Sequence, residues 1–223
     1  MSKKAVIIFG ITDLAELLYS YLCEDSNFKV VGFTADRQYI HNLNTFCDHP
    51  VIPFDELDKF LFTPERVSIF VCVGYTKMNS VRKDVFERVL KKGYSIESYF
   101  HPSASIYTDS FGIGNIVFPN VMIDRFTSVG DGNIFYSNSF VAHHSSIGNF
   151  NFFAVKCCCC GHVTMKNNCF IGANSTIRNG VTLEEYTLVG AAAYVSRNTV
   201  KNGVYVPSKT IAMLNKDILD INF

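Results

Sequence analysis

The chain has 223 residues, of which 48% are hydrophobic and 18% charged, and its 20 basic and 20 acidic residues give a formal net charge of zero. It has no basic block to serve as a nucleic-acid footprint and no run of about 18 or more apolar residues that could span a membrane. The opening MSKKAVIIFGITD lacks a small-residue cleavage site, so we expect it to form the first strand of a cytoplasmic domain.

The first hundred residues alternate between strand and helix patterns. Strands are predicted over residues 5–9, 29–34, 68–73 and 96–100 and near residue 51, with helices over 13–22, 54–61 and 79–92. This alternation is typical of a small Rossmann-like parallel sheet, so residues 1–100 are predicted to form an α/β domain. His101-Pro102 is the expected junction with the next domain.

Ligands of such domains bind at the carboxyl ends of the strands. Three of these ends carry suitable residues: the segment with Gly10 and Thr12, then Asp36, then the segment from Gly74 to Lys77. A glycine lets backbone approach a phosphate, and an acidic residue can accept hydrogen bonds from ribose hydroxyls. The segment that begins at Gly10 has one glycine where the dinucleotide fingerprint has three, so an NAD-type site is not predicted. The alternative, in which these residues only end strands, stays open.

From residue 117 to residue 200 the sequence repeats with a period of six. Every sixth position is apolar: Val117, Ile123, Val129, Phe135, Val141, Ile147, Phe153, Cys159, Met165, Ile171, Ile177, Leu183, Val189 and Val195. A small or slim residue follows four places later, from Thr127 through Ala193. This period is typical of a hexapeptide parallel β-helix, in which three hexads form one 18-residue coil. The β-helix is predicted over residues 101–205, with a C-terminal extension over 206–223.

The run from Cys157 to Cys160 invites interpretation as a metal site. The period instead places Cys157 and Cys159 inside the coil as small fillers and points Cys158 and Cys160 outward. Adjacent residues of an extended strand face opposite sides and cannot all ligate one ion. We therefore predict packing rather than metal binding, with the eight cysteines reduced.

Three of the six histidines lie on the predicted β-helix. His144 and His162 are 18 residues apart, or one full coil, so they should occupy equivalent corners about 5 Å apart. His143 is adjacent, and Asp124 and Arg125 lie one coil earlier. Such a cluster suits general base chemistry near neutral pH. The alternative, that these are polar turn residues facing solvent, stays open.

The repeats carry the motifs VAHHSSIG at residues 141–148, GHV at 161–163 and CFIGANSTIRNG at 169–180. With a small α/β domain in front of them, these motifs resemble the bacterial sugar acyltransferases. That family includes N-acetyltransferases of nucleotide-linked 4-amino sugars, of the bacillosamine and perosamine types, and relatives described as sialic acid O-acetyltransferases. The resemblance implies a left-handed parallel β-helix after the Rossmann-like domain.

The resemblance also implies residue roles. His143 aligns with the family's catalytic histidine, and His144 stands where the family usually has Glu or Asp. Phe152 stands where some members carry a second histidine. The implied coenzyme A contacts are Gly161, His162, Ala173, Gly190, Ala191 and Lys209. The implied contacts to the nucleotide-linked sugar are Gly10, Thr12, Asp36, Gly74, Lys77 and Arg82, with Lys77 and Arg82 at the diphosphate.

The implied activity is acetyl transfer from acetyl-CoA to the amino group of a nucleotide-linked amino sugar in polysaccharide biosynthesis. Direct attack is expected, with no acyl-enzyme, in a homotrimer whose acetyl-CoA clefts lie between adjacent β-helices. No metal is predicted, because nothing here has the histidine spacing of the zinc-binding β-helix carbonic anhydrases. Two alternatives stay open: O-acetylation of a sugar hydroxyl, and a non-catalytic trimeric binding or scaffold protein.

Overall fold

The chain folds into an α/β domain followed by a stack of short parallel strands. The computed structural model describes residues 3–25, 27–41 and 43–208. No helix within those ranges is both long enough and apolar enough to cross a membrane.

The α/β domain alternates strands and helices as predicted. Its elements are β1 (Lys4–Phe9), α1 (Asp13–Asp25), β2 (Phe28–Ala35), α2 (Arg37–Ile40), β3 (Thr45–Phe46), β4 (His49–Pro53), a 3₁₀ helix (Phe54–Phe60), β5 (Ser68–Val71) and α3 (Ser80–Lys91). The sheet order is β3-β4-β2-β1-β5, and every pair is parallel except β3 with β4. The chain crosses from β2 on one side of β1 to β5 on the other, so β1 is next to a topological switch point.

The β3–β4 hairpin was not predicted. Its turn residues Cys47 and Asp48 have φ values of 47° and 59°, the signs that a type I′ turn requires. The pair Cys47-Asp48 is not the Asn-Gly or Asp-Gly pair that predicts such a turn from sequence.

The second domain is a left-handed parallel β-helix with three faces. Face 1 consists of β6 (Tyr99–Phe100), β8 (Ile116–Val117), β11 (Ile134–Phe135), β14 (Phe152–Phe153), β17 (Phe170–Ile171), β20 (Leu188–Val189) and β22 (Val204–Tyr205). Face 2 consists of β7 (Ser105–Ile106), β9 (Met122–Ile123), β12 (Phe140–Val141), β15 (Cys158–Cys159), β18 (Thr176–Ile177) and β21 (Tyr194–Val195). Face 3 consists of β10 (Ser128–Val129), β13 (Ser146–Ile147), β16 (Thr164–Met165) and β19 (Thr182–Leu183).

Each strand pairs with the strand 18 residues away, so that Val141 lies between Ile123 and Cys159. All fourteen apolar hexad residues are at most 4% exposed and form one core cluster. The slim residues four places later are buried too. Cys157 and Cys159 are fully buried, whereas Cys158 and Cys160 are partly exposed, which confirms the packing assignment of the cysteine run.

The corners of the β-helix show a further period of six. One residue at each corner has a left-handed backbone with φ between 54° and 74°: Gly114, Asn120, Phe126, Gly132, Asn138, His144, Phe150, Lys156, His162, Asn168, Asn174, Gly180, Tyr186 and Ala192. Eleven of these fourteen are not glycine, so this conformation is unfavourable or merely tolerated for them. The corner amides compensate by bonding to the coil before, as in His162 N–H to His143 O at 3.0 Å.

The α/β domain packs against face 1. The outward side chains of Ile116, Ile134 and Phe152 share a core cluster with α1 and β1, and Tyr75 contacts Phe152 at a ring-centroid distance of 5.0 Å. The β-helix also begins earlier than the predicted junction, because Tyr99 already pairs with Ile116. The strand predicted over residues 96–100 is therefore divided between the domains, since Ile96 bridges Ile69 of β5 whereas Tyr99–Phe100 lies on face 1.

Arg82 joins the two domains. It lies on α3, is 1% exposed, and donates to the carbonyls of Gly132 and Asn151 in the β-helix at 2.9 and 3.0 Å. It also donates to the carbonyls of Val73 and Gly74 at 3.2 and 2.9 Å. Burial lowers the pKa of Arg82 to about 9, so it remains a cation at neutral pH. The predicted diphosphate contact at Arg82 is wrong, because the side chain is buried and four of its five N–H donors are already used inside the protein.

Candidate functional site

The three β-helix histidines meet at the corner between faces 2 and 3. His144 and His162 have nearly equal backbone angles, with φ of 56° and 58°. Their rings stack with centroids 4.9 Å apart and planes 15° from parallel. The predicted one-coil relationship is therefore confirmed. All three imidazoles are exposed, so a substrate can reach them.

His143 is oriented by its neighbour. Its Nδ1 lies 3.0 Å from Nδ1 of His144, and the rings are nearly perpendicular at 88°. One nitrogen must carry the proton and the other the lone pair. If His143 donates from Nδ1, its Nε2 carries a lone pair and can accept a proton. In that tautomer His144 is the acceptor, at the position for which the sequence resemblance implies Glu or Asp.

Gly161 lies against the imidazole of His143, one coil further along the chain. A Cβ built at Gly161 would come 2.9 Å from Cε1 and 3.1 Å from Nε2 of that ring, closer than side-chain carbons normally approach. Glycine therefore gives His143 the room to lie flat on the corner. The resemblance implied Gly161 as a coenzyme A contact, and its contact with His143 was not predicted.

Phe126 extends the histidine stack by one coil in the opposite direction. It is 73% exposed, and its ring centroid lies 4.7 Å from that of His144. This contact was not predicted, although the 18-residue spacing from Phe126 to His144 places the two residues at equivalent corners of successive coils. The Asp124 carboxylate accepts from the backbone amide of Arg125, and the Arg125 guanidinium lies over the Tyr107 ring.

A cleft of about 360 Å³ opens at the carboxyl ends of β1, β2 and β5. Gly10, Thr12, Asp36 and Gly74 all line it, so four of the six residues predicted to contact the nucleotide-linked sugar surround one cavity. Gly10 has φ of 147°, and any Cβ there would collide with the carbonyl oxygen of Cys72. The amino end of α1 also opens on this cleft, an arrangement that favours anionic ligands.

Asp36 has a partner that the sequence did not reveal. Arg88 of α3 donates to both of its carboxylate oxygens, at 2.7 and 2.9 Å. This hydrogen bonding and the nearby carboxylates raise the pKa of Arg88 above its usual value, against the opposing effect of burial. The pair holds Asp36 at the rim of the cleft, where the remaining lone pairs of the carboxylate can accept hydroxyl donors.

The other predicted substrate residue, Lys77, is exposed and does not line the cleft. It is the first of three consecutive residues with positive φ, followed by Met78 and Asn79. This turn is held against the β-helix by Asn79, whose Nδ2 donates to Cys169 O at 3.0 Å. Lys77 is thus beside the cleft, next to the lining residue Thr76.

The predicted coenzyme A contacts differ in their hydrogen-bonding state. The Gly190 amide already donates to Tyr205 O at 2.7 Å, so this amide is not free to donate to coenzyme A. Within residues 43–208, no hydrogen-bond acceptor is found for the amides of Ala173 and Ala191, and both residues are at least partly accessible. Lys209 lies outside the described residues.

The cleft and the histidine corner of one chain lie on opposite sides of the β-helix. The α/β domain covers face 1, whereas the histidines occupy the corner between faces 2 and 3. In a three-sided section, that corner is the one opposite face 1. The two candidate sites of one chain therefore do not face each other.

An α/β domain joined to a left-handed β-helix defines a structural class with solved members. The acetyltransferase domain of PglB from Neisseria gonorrhoeae has this fold, with a TM-score of 0.80 and 20% identity over 92% of this chain and 97% of that one. PerB from Caulobacter crescentus, solved with CoA and GDP-perosamine, gives 0.78 and 23% identity over 92% and 94% of the two chains. WeeI from Acinetobacter baumannii gives 0.76 and 17% over 92% and 97%.

No family model matches the chain, and no curated protein matches it by sequence. At these identities the structural comparisons confirm the predicted architecture of a Rossmann-like domain followed by a left-handed β-helix.

Proposed function

We propose that the chain is an acetyl-CoA-dependent N-acetyltransferase that acetylates the amino group of a nucleotide-linked amino sugar. The observation that carries this proposal is His143, an exposed imidazole held by a 3.0 Å hydrogen bond at Nδ1 on the corner of a β-helix. It is supported by the shared fold with the PglB acetyltransferase domain and with PerB, whose solved complex contains CoA and GDP-perosamine.

The proposed reaction needs one general base. In the reactive tautomer His143 donates from Nδ1 to His144, so Nε2 is free to take a proton from the sugar amine. The amine nitrogen forms a bond to the thioester carbonyl carbon, and the carbon–sulfur bond then breaks. The proton held by His143 passes to the leaving sulfur, which yields the acetamido sugar and free coenzyme A. The charge-assisted hydrogen bond to His144 stabilises the imidazolium formed in between.

The acyl donor is proposed to lie along the outer face of the coils beside the histidines. The amides of Ala173 and Ala191 can donate hydrogen bonds to this acyl donor, because each lacks an acceptor within the described part of the β-helix. An extended amide-bearing arm such as pantetheine carries carbonyls that can accept from them.

The proposed acceptor substrate lies with its nucleotide in the cleft of the α/β domain, against Gly10, Thr12, Asp36 and Gly74. Because this cleft is on the side of the β-helix opposite its own histidines, the cleft that serves His143 must belong to a second copy of the chain. This supports the implied homotrimer, since cyclic symmetry lets each chain offer its histidines to the next.

The first test measures coenzyme A release with a panel of amino and hydroxy nucleotide sugars. We expect turnover of an amino sugar and a fall in kcat/KM on the order of a hundredfold or more in His143→Asn. His41→Asn is the matched control, since His41 is exposed and lies outside the site. Activity within a few-fold of wild type in a folded His143→Asn protein would overturn the assignment of His143 as the general base. Turnover of hydroxy sugars alone would replace N-acetylation by O-acetylation.

The second test asks whether the site is shared between chains. Gly74→Leu should fill the cleft, because a Cβ at Gly74 meets no atom within 4 Å. Mixing this variant with His143→Asn, each inactive alone, should restore about a quarter of the sites if each one combines two chains of a cyclic oligomer. Absence of any recovery from verified mixed oligomers would show that one chain supplies both parts.

A further inference from the structure

We propose that His143, His144 and His162 form a binding site for a divalent transition-metal ion of the zinc, cobalt, nickel and copper group. Each side chain offers one ring nitrogen, and these three nitrogens lie within 4.8 Å of one another. The inhibitory consequence argued below rests on the proposed role of His143 as the base, whereas the binding site itself does not.

The geometry is close to that of a three-histidine metal site. Zinc binds imidazole nitrogens at about 2.0–2.1 Å, which places tetrahedral ligands roughly 3.3 Å apart. Nδ1 of His143 and Nδ1 of His144 already lie 3.0 Å apart. A ring nitrogen of the exposed His162 lies within 4.8 Å of ring nitrogens of the other two side chains. Because the His162 ring stacks on His144 with planes 15° apart, it must rotate out of the stack to direct its lone pair at the same ion. The fourth position faces solvent and would hold water.

The juxtaposition depends on the backbone of the corner. Adjacent residues in an extended strand face opposite sides, which is why the doublet His143-His144 does not predict a shared ligand site. His144 instead has φ of 56°, and this left-handed corner turns its ring towards His143 and over His162. The amides of His144 and His162 fix the corner by donating to Arg125 O and His143 O at 3.1 and 3.0 Å.

The ligand set defines which ions fit. Three neutral imidazoles suit zinc, copper, nickel and cobalt, whereas magnesium and calcium prefer oxygen ligands. Because the ligands are held by fixed corners, little conformational freedom is lost when the ion binds. An ion at this position uses a lone pair of His143, so a loaded protein lacks the free base that the proposed transfer needs. The ion is therefore an inhibitor and not a cofactor of that reaction.

Binding can be tested without any assay of activity. The full chain, stripped with a chelator and kept reduced, is titrated with Co²⁺ followed by visible absorption, and with Zn²⁺ by calorimetry. We expect one ion per chain and a loss of affinity of at least about tenfold in His162→Asn, since one of three ligands is removed. Asparagine tolerates the left-handed backbone at this position, so the fold should be kept.

The matched control is His41→Asn, which makes the same substitution at an exposed histidine with φ of 48° outside the cluster. It should bind as wild type does. Equal affinity in wild type and His162→Asn would overturn the site, as would a thiolate-to-cobalt absorption band, because that band reports ligation by cysteine. If an acetyl acceptor is found, Zn²⁺ should inhibit wild type and do so at least about tenfold less potently in His162→Asn.

The two proposals fail separately. Binding of one ion with no turnover of any sugar would leave the metal site standing and overturn the transferase. Turnover of an amino sugar by a protein that binds no zinc or cobalt would leave the transferase and overturn the metal site.

Discussion

The imidazole of His143 lies directly on the backbone of Gly161, a residue one coil further along the β-helix. A methyl group at Gly161 would come 2.9 Å from Cε1 of that ring, and the ring would have to shift by a few tenths of an ångström. The proposed base is therefore held between an acceptor at Nδ1 and a glycine beside Cε1 and Nε2. Each of these contacts can be changed without removing the imidazole itself.

Gly161→Ala should lower kcat by about tenfold or more while the protein remains folded, because small displacements of a catalytic group are costly. The measurement is steady-state kinetics beside thermal unfolding. Gly93→Ala serves as the control for a general loss of stability, since Gly93 lies after α3 of the α/β domain with φ of 89°, and an added Cβ would meet only the Pro64 side chain within 4 Å. An unchanged kcat in Gly161→Ala would show that the ring position does not limit the reaction.

His144→Ala should reduce kcat/KM by about ten- to a hundredfold, because His143 loses the group that fixes its tautomer and orientation. Alanine is compatible with this corner, as Ala192 has φ of 59° at an equivalent position. His144→Asp restores an acceptor, now a carboxylate, and should retain more activity than His144→Ala. Equal losses in the two variants would mean that His144 acts through something other than its hydrogen bond to His143.

The period of six predicted which side chains of the β-helix face its interior and which face its outer surface. It assigned Cys159 to the interior and Cys158 to the outer surface, and it predicted the stacking of His144 on His162, because both depend only on counting along a regular coil. It could not show that His144 has a left-handed backbone. Phenylalanine and lysine carry no signal for that conformation and histidine carries only a weak one. The amide hydrogen bonds from one coil to the next hold it here.

The first domain was less predictable because its important contacts join distant parts of the chain. Asp36 lines the cleft at the strand ends, where the sequence placed a candidate ligand contact, but its pairing with Arg88 joins residues 52 positions apart. Arg82 also contacts residues that are distant in sequence. An arginine in a helix pattern is usually exposed, so the sequence did not predict its burial between two domains. No periodicity relates such residues, so their roles follow only from the packed structure.

Cys159→Ser should destabilise the protein by about 1–3 kcal/mol, whereas Cys158→Ser should change its stability by less than about 0.5 kcal/mol. Cys159 is fully buried in an apolar coil interior, where a hydroxyl would lack water. Cys158 is partly exposed on the outer side of the same strand. Urea unfolding in the presence of a reductant measures both variants. Similar losses in the two would argue against the inside-outside alternation of this strand.

Alkaline pH should destabilise the fold through its buried thiols. Burial raises the pKa of Cys169 to about 12 and shifts the pKa values of Cys72, Cys157 and Cys159 in the same direction. Unfolded thiols ionise near about 8.5, so above that pH unfolding releases protons and stability falls as pH rises. For Cys169 the loss continues until about pH 12, at up to about 1.4 kcal/mol per pH unit for each proton released.

Urea unfolding measured between about pH 7 and about pH 10 under reducing conditions tests this linkage. Cys169→Ala should make the fall in stability with pH shallower than in wild type. Cys23→Ala should not, since Cys23 is exposed in the folded chain. The same pH dependence in Cys169→Ala and wild type would assign the alkaline loss to other groups.

Arg82→Met should lower the free energy of unfolding by about 2 kcal/mol or more, because buried carbonyls that accept from the guanidinium would be left without it. The cation itself is unfavourable in this setting, as its lowered pKa shows, so removing the charge returns part of the loss. The remainder should still be destabilising, since methionine fills the volume but donates to none of the four carbonyls.

Lys83→Met, on the same helix but partly exposed, should change stability by less than about 0.5 kcal/mol. Arg82→Lys should fall between wild type and Arg82→Met, because an ammonium group can reach some of the acceptors but not span both domains. If Arg82→Met were as stable as wild type, the junction between the α/β domain and the β-helix would be held by its apolar contacts alone.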